Sequence, residues 1–400
     1  MRLLVTTEDR FLFCQGHFWV QWSTHYSFWA RYLSVFDEVS ILSRALSVDQ
    51  VASDFRRVDG ERVKVKALPH YLGLGQYLLQ RRELNQAIRA AAEPDCAYIL
   101  RAPGQIANGL WPVVRRMGRP YGMEVVGDPW DVFAPDAVTH PLSPLLRRWG
   151  TWTLQRQCVG ACAISYINSG EVIKSRYPAP RALFTTSYPS SQLTEEAFVA
   201  APREPRVEGT MTIVSVMSFS QMYKAPDVMI RAVARLRGQG RPVKLRLVGG
   251  GIYLEPMRKL AASLGVADAV EFRGRVPAGD GVRAELDQAD LFLLVSRAEG
   301  LGRALIEAMA RGLPCIGSNV GGIPQLLAPE DLVPPGDHVA LADKISAFLD
   351  DPSRRKAASE RNLERAQDYR EEVLNLRRHA LFRVVREQAD LANARRSGRA

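Results

Sequence analysis

Leu291-Phe292-Leu293-Leu294-Val295 runs directly into Ser296-Arg297-Ala298-Glu299-Gly300-Leu301-Gly302-Arg303-Ala304-Leu305-Ile306-Glu307-Ala308-Met309-Ala310-Arg311-Gly312-Leu313-Pro314. A short apolar run bounded by a turn signal suits a buried parallel strand. Gly300 and Gly302 then mark a turn, and the periodic apolar stretch after them predicts a helix. Strand, glycine turn and helix form the repeating unit of a doubly wound α/β fold. Glycines at such a junction let backbone N–H groups approach a ligand, and the helix opening adds unpaired donors and a positive dipole end. A diphosphate is the natural occupant. Glu299 stands just before the turn and Glu307 about one helical turn inside. One carboxylate can accept hydrogen bonds from a sugar's hydroxyls, the other from the vicinal hydroxyls of a ribose.

The same alternation continues on both sides. Buried strands are expected at Thr212–Val216, Lys244–Val248, Val270–Phe272, Pro314–Gly317 and Asp331–Val333. Helices are expected between and after them, among them Pro226–Arg237, Asp280–Gln288, Ile323–Leu327 and Val339–Leu349. The first half repeats the pattern with strands at Arg2–Thr6, Val39–Leu42, Val63–Ala67, Ala97–Leu100, Pro120–Val125, Ala161–Ile164 and Ala182–Phe184. The stretch Ala200–Arg206, rich in proline and charge, suits an interdomain linker. The chain therefore divides into a Rossmann-like domain over 1–205, a second over 206–367, and a C-terminal helix with a basic tail over 368–400. Val373, Leu376, Leu381 and Val385 mark that helix's packed face, and the tail from Ala392 is expected to fray. Two doubly wound halves joined by a linker put a ligand site in the cleft they face.

Composition limits the function classes. Four hundred residues, 46% hydrophobic and 24% charged, suit two soluble α/β domains. No apolar run reaches the ~20 residues of a membrane-spanning helix, and Met1–Val5 meets Glu8-Asp9-Arg10 too soon for a signal peptide. The expectation is a cytoplasmic protein. The five cysteines suit a reducing compartment. Cys158 and Cys162, four apart with no histidine close by, read as small buried residues rather than a zinc site. The net charge of +10 points to nucleic acid, an anionic membrane or an anionic substrate. No nucleic-acid module is present, so nucleic acid is not an expected partner.

The motif set resembles the donor site of family 4 of the retaining glycosyltransferases, including those of bacterial surface-polysaccharide assembly. It comprises Glu299-x7-Glu307 with Gly300 after the first glutamate, Gly312-Leu313-Pro314, Ser318-Asn319 and Gly321-Gly322-Ile323-Pro324. Upstream, Val248-Gly249-Gly250-Gly251 resembles the family's strand-end glycine turn, Val270–Gly274 its segment leading to the nucleotide base, and Lys224 its phosphate-binding lysine. The resemblance covers roughly residues 210–335 and implies a GT-B fold and a hexosyltransferase-type enzyme. It implies catalytic roles for Glu299 and Lys224. It also implies donor contacts at Ser218, Lys224, Gly249, Gly250, Arg273, Gly300, Leu301, Gly302, Arg303 and Glu307. The family often has an arginine a few residues before the lysine. Ser218 and Phe219 stand there instead, which leaves more of the phosphate charge to Lys224 and backbone donors. Gln325 replaces the glutamate usual after Gly-Gly-x-Pro. Arg303 supplies a second positive charge or is simply solvated.

The implied partners are a nucleotide-sugar donor and a glycan, lipid-linked or small-molecule acceptor, with no cofactor and no metal, since no Asp-x-Asp dyad sits in a suitable turn. The implied reaction builds cell-surface polysaccharide or glycolipid. The alternatives are a non-catalytic sugar-nucleotide-binding subunit and glycosylation of a small metabolite. In the first half, Asp9–His17 is expected as a loop whose Gly16 contacts the donor. Glu124-Val125-Val126-Gly127-Asp128-Pro129-Trp130 resembles a run in the surface-polysaccharide enzymes. There Asp128, or Glu124, either touches sugar hydroxyls and serves catalysis or caps a loop. His17 and His25 are acid/base candidates or structural residues. Leu142–Arg156 sets Leu145, Leu146, Trp149 and Trp152 beside Arg147, Arg148 and Arg156. Such a helix packs its apolar face on the sheet, as every α/β domain requires, or lies in an anionic membrane interface, placing the protein peripherally on the membrane's inner face.

Overall fold

The computed structural model describes residues 1–21, 24–133, 141–167, 170–189 and 193–398. These form two compact units: one from the described residues of 1–134, 140–190 and 375–400, the other from those of 191–374.

The first unit contains β1 (Arg2–Cys14), β2 (His17–Val20), β3 (Glu38–Ser47), β4 (Arg56–Arg57), β5 (Val63–Leu68), β6 (Ala97–Ala102), β7 (Gly122–Val125), β8 (Ala163–Tyr166) and β9 (Phe184–Ser187). Its helices are α1 (Tyr26–Ala30), α2 (Gly73–Ala91), α3 (Gln105–Arg116), α4 (Pro129–Val132), α5 (Ser143–Val159) and α6 (Glu171–Arg176). The parallel strands stand in the order β5-β3-β1-β6-β7-β8-β9. The expected loop over Asp9–His17 is instead strand and hairpin. β1 shifts register against β3 between Thr6 and Arg10, continues to Cys14, and returns as β2. Phe11 is buried and Phe13 packs on Phe18 at 4.9 Å between ring centres, which keeps the strand extended. Gln15 and Gly16 lie at φ of 51° and 82°, the conformation that a two-residue hairpin turn demands. Gly16 therefore has a structural reason to be glycine.

The second unit is a six-stranded sheet of β10 (Met211–Val216), β11 (Val243–Val248), β12 (Val270–Gly274), β13 (Leu291–Leu294), β14 (Cys315–Ser318) and β15 (Leu332–Val333). Its order is β12-β11-β10-β13-β14-β15, all parallel, so the winding reverses between β10 and β13. Its helices are α7 (Pro226–Gly238), α8 (Leu254–Ser263), α9 (Asp280–Asp287), α10 (Arg303–Ala310), α11 (His338–Asp350) and α12 (Pro352–Ala366). The strand period of two divides the core. Ile213, Leu291 and Leu293 pack with Met229 and Val233 on one face, whereas Val214, Phe292 and Leu294 pack with Leu305 and Met309 on the other. Ile323–Gln325 forms a 3₁₀ turn where a helix to Leu327 is expected.

Four further expectations are corrected. Ala200–Arg206 is not a linker, because it lies within the second unit. The Arg203 N–H donates to Ser359 Oγ (2.8 Å), and its guanidinium donates to the carbonyls of Leu286, Ala289 and Arg311. The last helix, α13 (Glu371–Arg396), buries Leu374, Arg378, Leu381, Phe382, Val385 and Ala389, while Leu376 is exposed. The packed face includes an arginine, donating to the Pro189 carbonyl at 3.2 Å, so an apolar-only pattern misplaces it. From Asn375 onward α13 belongs to the first unit, and Arg396 donates to the Pro94 carbonyl, so the tail stays helical to that residue. Arg399 and Ala400 lie outside the described residues. Finally, α5 does not pack Leu145, Trp149 and Trp152 on the sheet. Its buried side is Thr151, Leu154, Gln157 and Cys158.

Burial pushes the Cys158 thiol well up and that of Cys162 to about 12, so both stay protonated at neutral pH. Among the described residues no helix is long and apolar enough to cross a membrane.

Candidate active site

The carboxyl ends of β10 and β13, where the winding reverses, carry the candidate residues. After β10 the chain forms a 3₁₀ turn, Met222–Lys224, and Ala225 in the left-handed region (φ 53°) redirects it into α7. After β13 it passes through buried Ser296 to Glu299. The two segments are tied together. The Arg297 N–H donates to the Tyr223 carbonyl (2.6 Å). Its guanidinium donates to the Met222 carbonyl (3.0 Å) and to both carboxylate oxygens of Asp227 (3.0 and 2.7 Å). This clamp sets Lys224 Nζ on Glu299 Oε2. Ser296 Oγ donates to the same oxygen at 3.1 Å, and the Gly300 N–H to Oε1 at 3.2 Å. Glu299 is thus fixed, and the ammonium keeps donors for a second anion.

The glycines make this close approach possible. A Cβ on Gly321 would stand 1.8 Å from the Glu299 carbonyl oxygen, and one on Gly322 2.4 Å from that of Gly300. The Gly322 N–H instead donates to the Gly300 carbonyl at 2.7 Å. Gly249 (φ 138°) meets the Met217 carbonyl in the same way, at 1.7 Å from a would-be Cβ. The Phe219 N–H donates to the Gly250 carbonyl, and Phe219 itself is buried, which leaves Ser218 bonded to Ser220 on the loop's outer side. Arg275 lies along Gly250, 3.0 Å from where a Cβ would stand.

Gly302 takes the left-handed conformation (φ 84°) as the N-cap of α10, with no capping side chain. The first N–H groups of α10 therefore point at whatever occupies the turn, and the helix dipole adds partial positive charge. Leu301 beside it is buried and packs in the core. Glu307 lies inside α10, and its carboxylate accepts no hydrogen bond among the described residues. Burial raises its pKa, and Arg303 and Arg283 oppose the rise only in part. The arrangement offers a cation and helix N–H donors for a diphosphate, with the fixed carboxylate of Glu299 and that of Glu307 for hydroxyl groups.

Not every expected residue joins it. Arg273 donates from Nε to Glu285 Oε1 (2.8 Å), so its side chain is engaged along the sheet edge. In the first unit, Asp128 caps α4 by accepting from the Trp130 N–H (2.8 Å), and it also binds Arg176 and the Tyr177 hydroxyl. Glu124 is buried and takes hydrogen bonds from Tyr32, Tyr188 and Arg101 (2.9–3.0 Å). Both acids are therefore built into the fold. His17 pairs with Asp59 at 3.1 Å, and His25 precedes α1 with its pKa lowered by burial. Sequence reasoning missed Arg297. Its signal was a basic residue two before Glu299, which has meaning only once Asp227 is known to face it.

Comparison with known proteins adds to this geometry. Residues 200–365 match the family profile of glycosyl transferases group 1. Over 80% of its length the chain is 24% identical to Protein CapJ of Staphylococcus aureus, covering 80% of that protein. It is 32% identical to the putative colanic acid biosynthesis glycosyltransferase WcaL of Escherichia coli K12, over 46% of this chain and 48% of WcaL. The fold is similar to that of Anabaena HepE, solved with UDP and glucose (TM-score 0.64, 15% identity), over 94% of this chain and 98% of that one.

Proposed function

We propose, from the premise that this chain is a GT-B glycosyltransferase whose residues 200–365 match the profile of glycosyl transferases group 1, that it moves a sugar from a nucleoside-diphosphate sugar to an acceptor hydroxyl with retention. The observation that carries this reading is the meeting of Lys224 and Glu299 at the uncapped start of α10, with Glu307 inside it. Lys224 and the α10 N–H groups bind the diphosphate. Glu307 accepts from the ribose hydroxyls and Glu299 from the sugar. In the reaction the bond from the anomeric carbon to the donor's phosphate oxygen breaks, and the acceptor oxygen bonds to that carbon on the same face. The acceptor's proton passes to the departing phosphate oxygen. Charge developing there is stabilised by groups already aimed at it, so neither a metal nor a protein nucleophile is needed. The first unit holds the acceptor, and the product is a cell-surface polysaccharide or glycolipid. WcaL's assignment to colanic acid synthesis and the UDP and glucose held by HepE support this reading.

The test is release of free nucleoside diphosphate from a panel of UDP- and GDP-sugars, followed by NMR of the product's anomeric configuration. Wild-type protein is expected to turn over one donor class with retention, and Glu307→Ala to lose most of that rate. Equal release by the variant, or an inverted product, would overturn the proposal.

A further inference from the structure

We propose that the outward face of α5 is a docking surface for an anionic lipid bilayer. The helix buries a mixed polar and apolar side and turns apolar residues outward. Thr151, Thr153, Leu154, Gln157 and Cys158 are buried, whereas Leu145 (65% exposed), Trp149 (43%), Trp152 (52%) and Val159 (39%) face outward. These four positions are spaced 4, 3 and 7 residues apart, so they form one stripe along the helix. A side chain exposed singly needs no explanation, but an apolar stripe containing two tryptophans does.

Charge identifies the occupant. The stripe is interrupted by Arg156, whose guanidinium lies over the Trp152 ring at 4.8 Å, and is edged by exposed Arg148. The α5 sequence SPLLRRWGTWTLQRQCV holds no acidic residue. An occupant must take up guanidinium groups and apolar side chains together, and a second copy would set Arg148 and Arg156 against their own kind. A bilayer meets both demands. Its phosphates accept from the guanidinium groups while indole rings and leucine enter the region beneath, the depth at which tryptophan is enriched. The chain's net charge of +10 acts in the same direction at longer range.

The test uses the full chain in co-sedimentation with phosphatidylglycerol-containing vesicles and with pure phosphatidylcholine vesicles, at low and high ionic strength. Wild-type protein is expected to bind the anionic vesicles at low salt only. Trp149→Ala with Trp152→Ala, and separately Arg148→Gln with Arg156→Gln, should each lower the partition coefficient by about tenfold or more. All four side chains lie outside the candidate active site, so nucleoside diphosphate binding should be unchanged, which also reports that the variants are folded. Leu78→Ala with Leu79→Ala on α2, another exposed apolar pair, should leave vesicle binding near wild type. The proposal is overturned if wild-type protein does not bind, or if the α5 variants bind as it does. It is equally overturned if those variants only abolish self-association seen by light scattering.

Discussion

Glu307 combines burial with a proposed task that requires charge. Its pKa is raised because desolvation outweighs Arg303 and Arg283. The folded chain thus holds that proton more tightly than the unfolded one. The associated stability is full below the unfolded pKa and is lost as pH rises through the raised folded value. Donor binding has the opposite sign, because only the ionised carboxylate accepts two hydroxyl hydrogen bonds. Donor KM should therefore climb on acidification, starting at a higher pH than an exposed glutamate would give. Glu307→Gln should bind donor roughly tenfold more weakly at neutral pH and show a flatter KM profile in acid. Superimposable profiles for the two proteins would refute the role. Glu299 and Glu307 were legible in sequence because both lie on one strand–turn–helix element whose spacing is local. The capping of α4 by Asp128 was one of the two readings its sequence allowed, but the other partners of Asp128 and the burial of Glu124 were not legible, since they arrive from Arg176, Tyr177, Tyr32, Arg101 and Tyr188 on distant segments.

At the scale of elements, the site depends on two loops held in register. Arg297 fixes the turn that carries Lys224, and Gly321 lets the loop after β14 lie against the Glu299 backbone. Arg297→Ala leaves Asp227 without its partner and should lower kcat/KM by roughly tenfold or more, consistent with losing a charged hydrogen-bonded pair. Circular dichroism should stay near wild type, and Arg297→Lys should restore only part of the loss because it cannot bridge both oxygens. Gly321→Ala should be more severe, since Cβ at 1.8 Å from a backbone oxygen must move that backbone; its thermal midpoint and its donor affinity should fall together. The parallel strands of the second unit were readable because each is a short, uninterrupted apolar run. The β1–β2 hairpin was not, because Glu8-Asp9-Arg10 disguises a strand that bends through its register shift. Of the two readings α5 allowed, packing of its apolar stripe on the sheet fails, because composition gives the stripe but not which side of it faces the core.

Across the whole molecule, each unit has its own core, and the chain's last helix completes the first one. Phe382 stacks on Tyr32 at 4.5 Å and is buried with Leu3, Val5 and Ile99. Phe382→Ala should therefore cost about 3–5 kcal/mol, seen as a lower denaturant midpoint by a probe in the first unit. A shift below about 1 kcal/mol would mean α13 is dispensable there. The two-unit plan was legible from the alternation of strands and helices. The boundary was not, because proline and charge at 200–206 mimic a linker while Arg203 anchors that segment to six backbone and side-chain groups. The central claim is that the second unit holds a nucleoside diphosphate between Lys224, the start of α10 and Glu307. Isothermal titration of wild-type, Lys224→Met and Glu307→Ala proteins with UDP and GDP tests it most directly. The account expects one nucleotide to bind the wild-type chain at one site per molecule, and each substitution to weaken it by at least about tenfold. Equal affinity in all three proteins would contradict it.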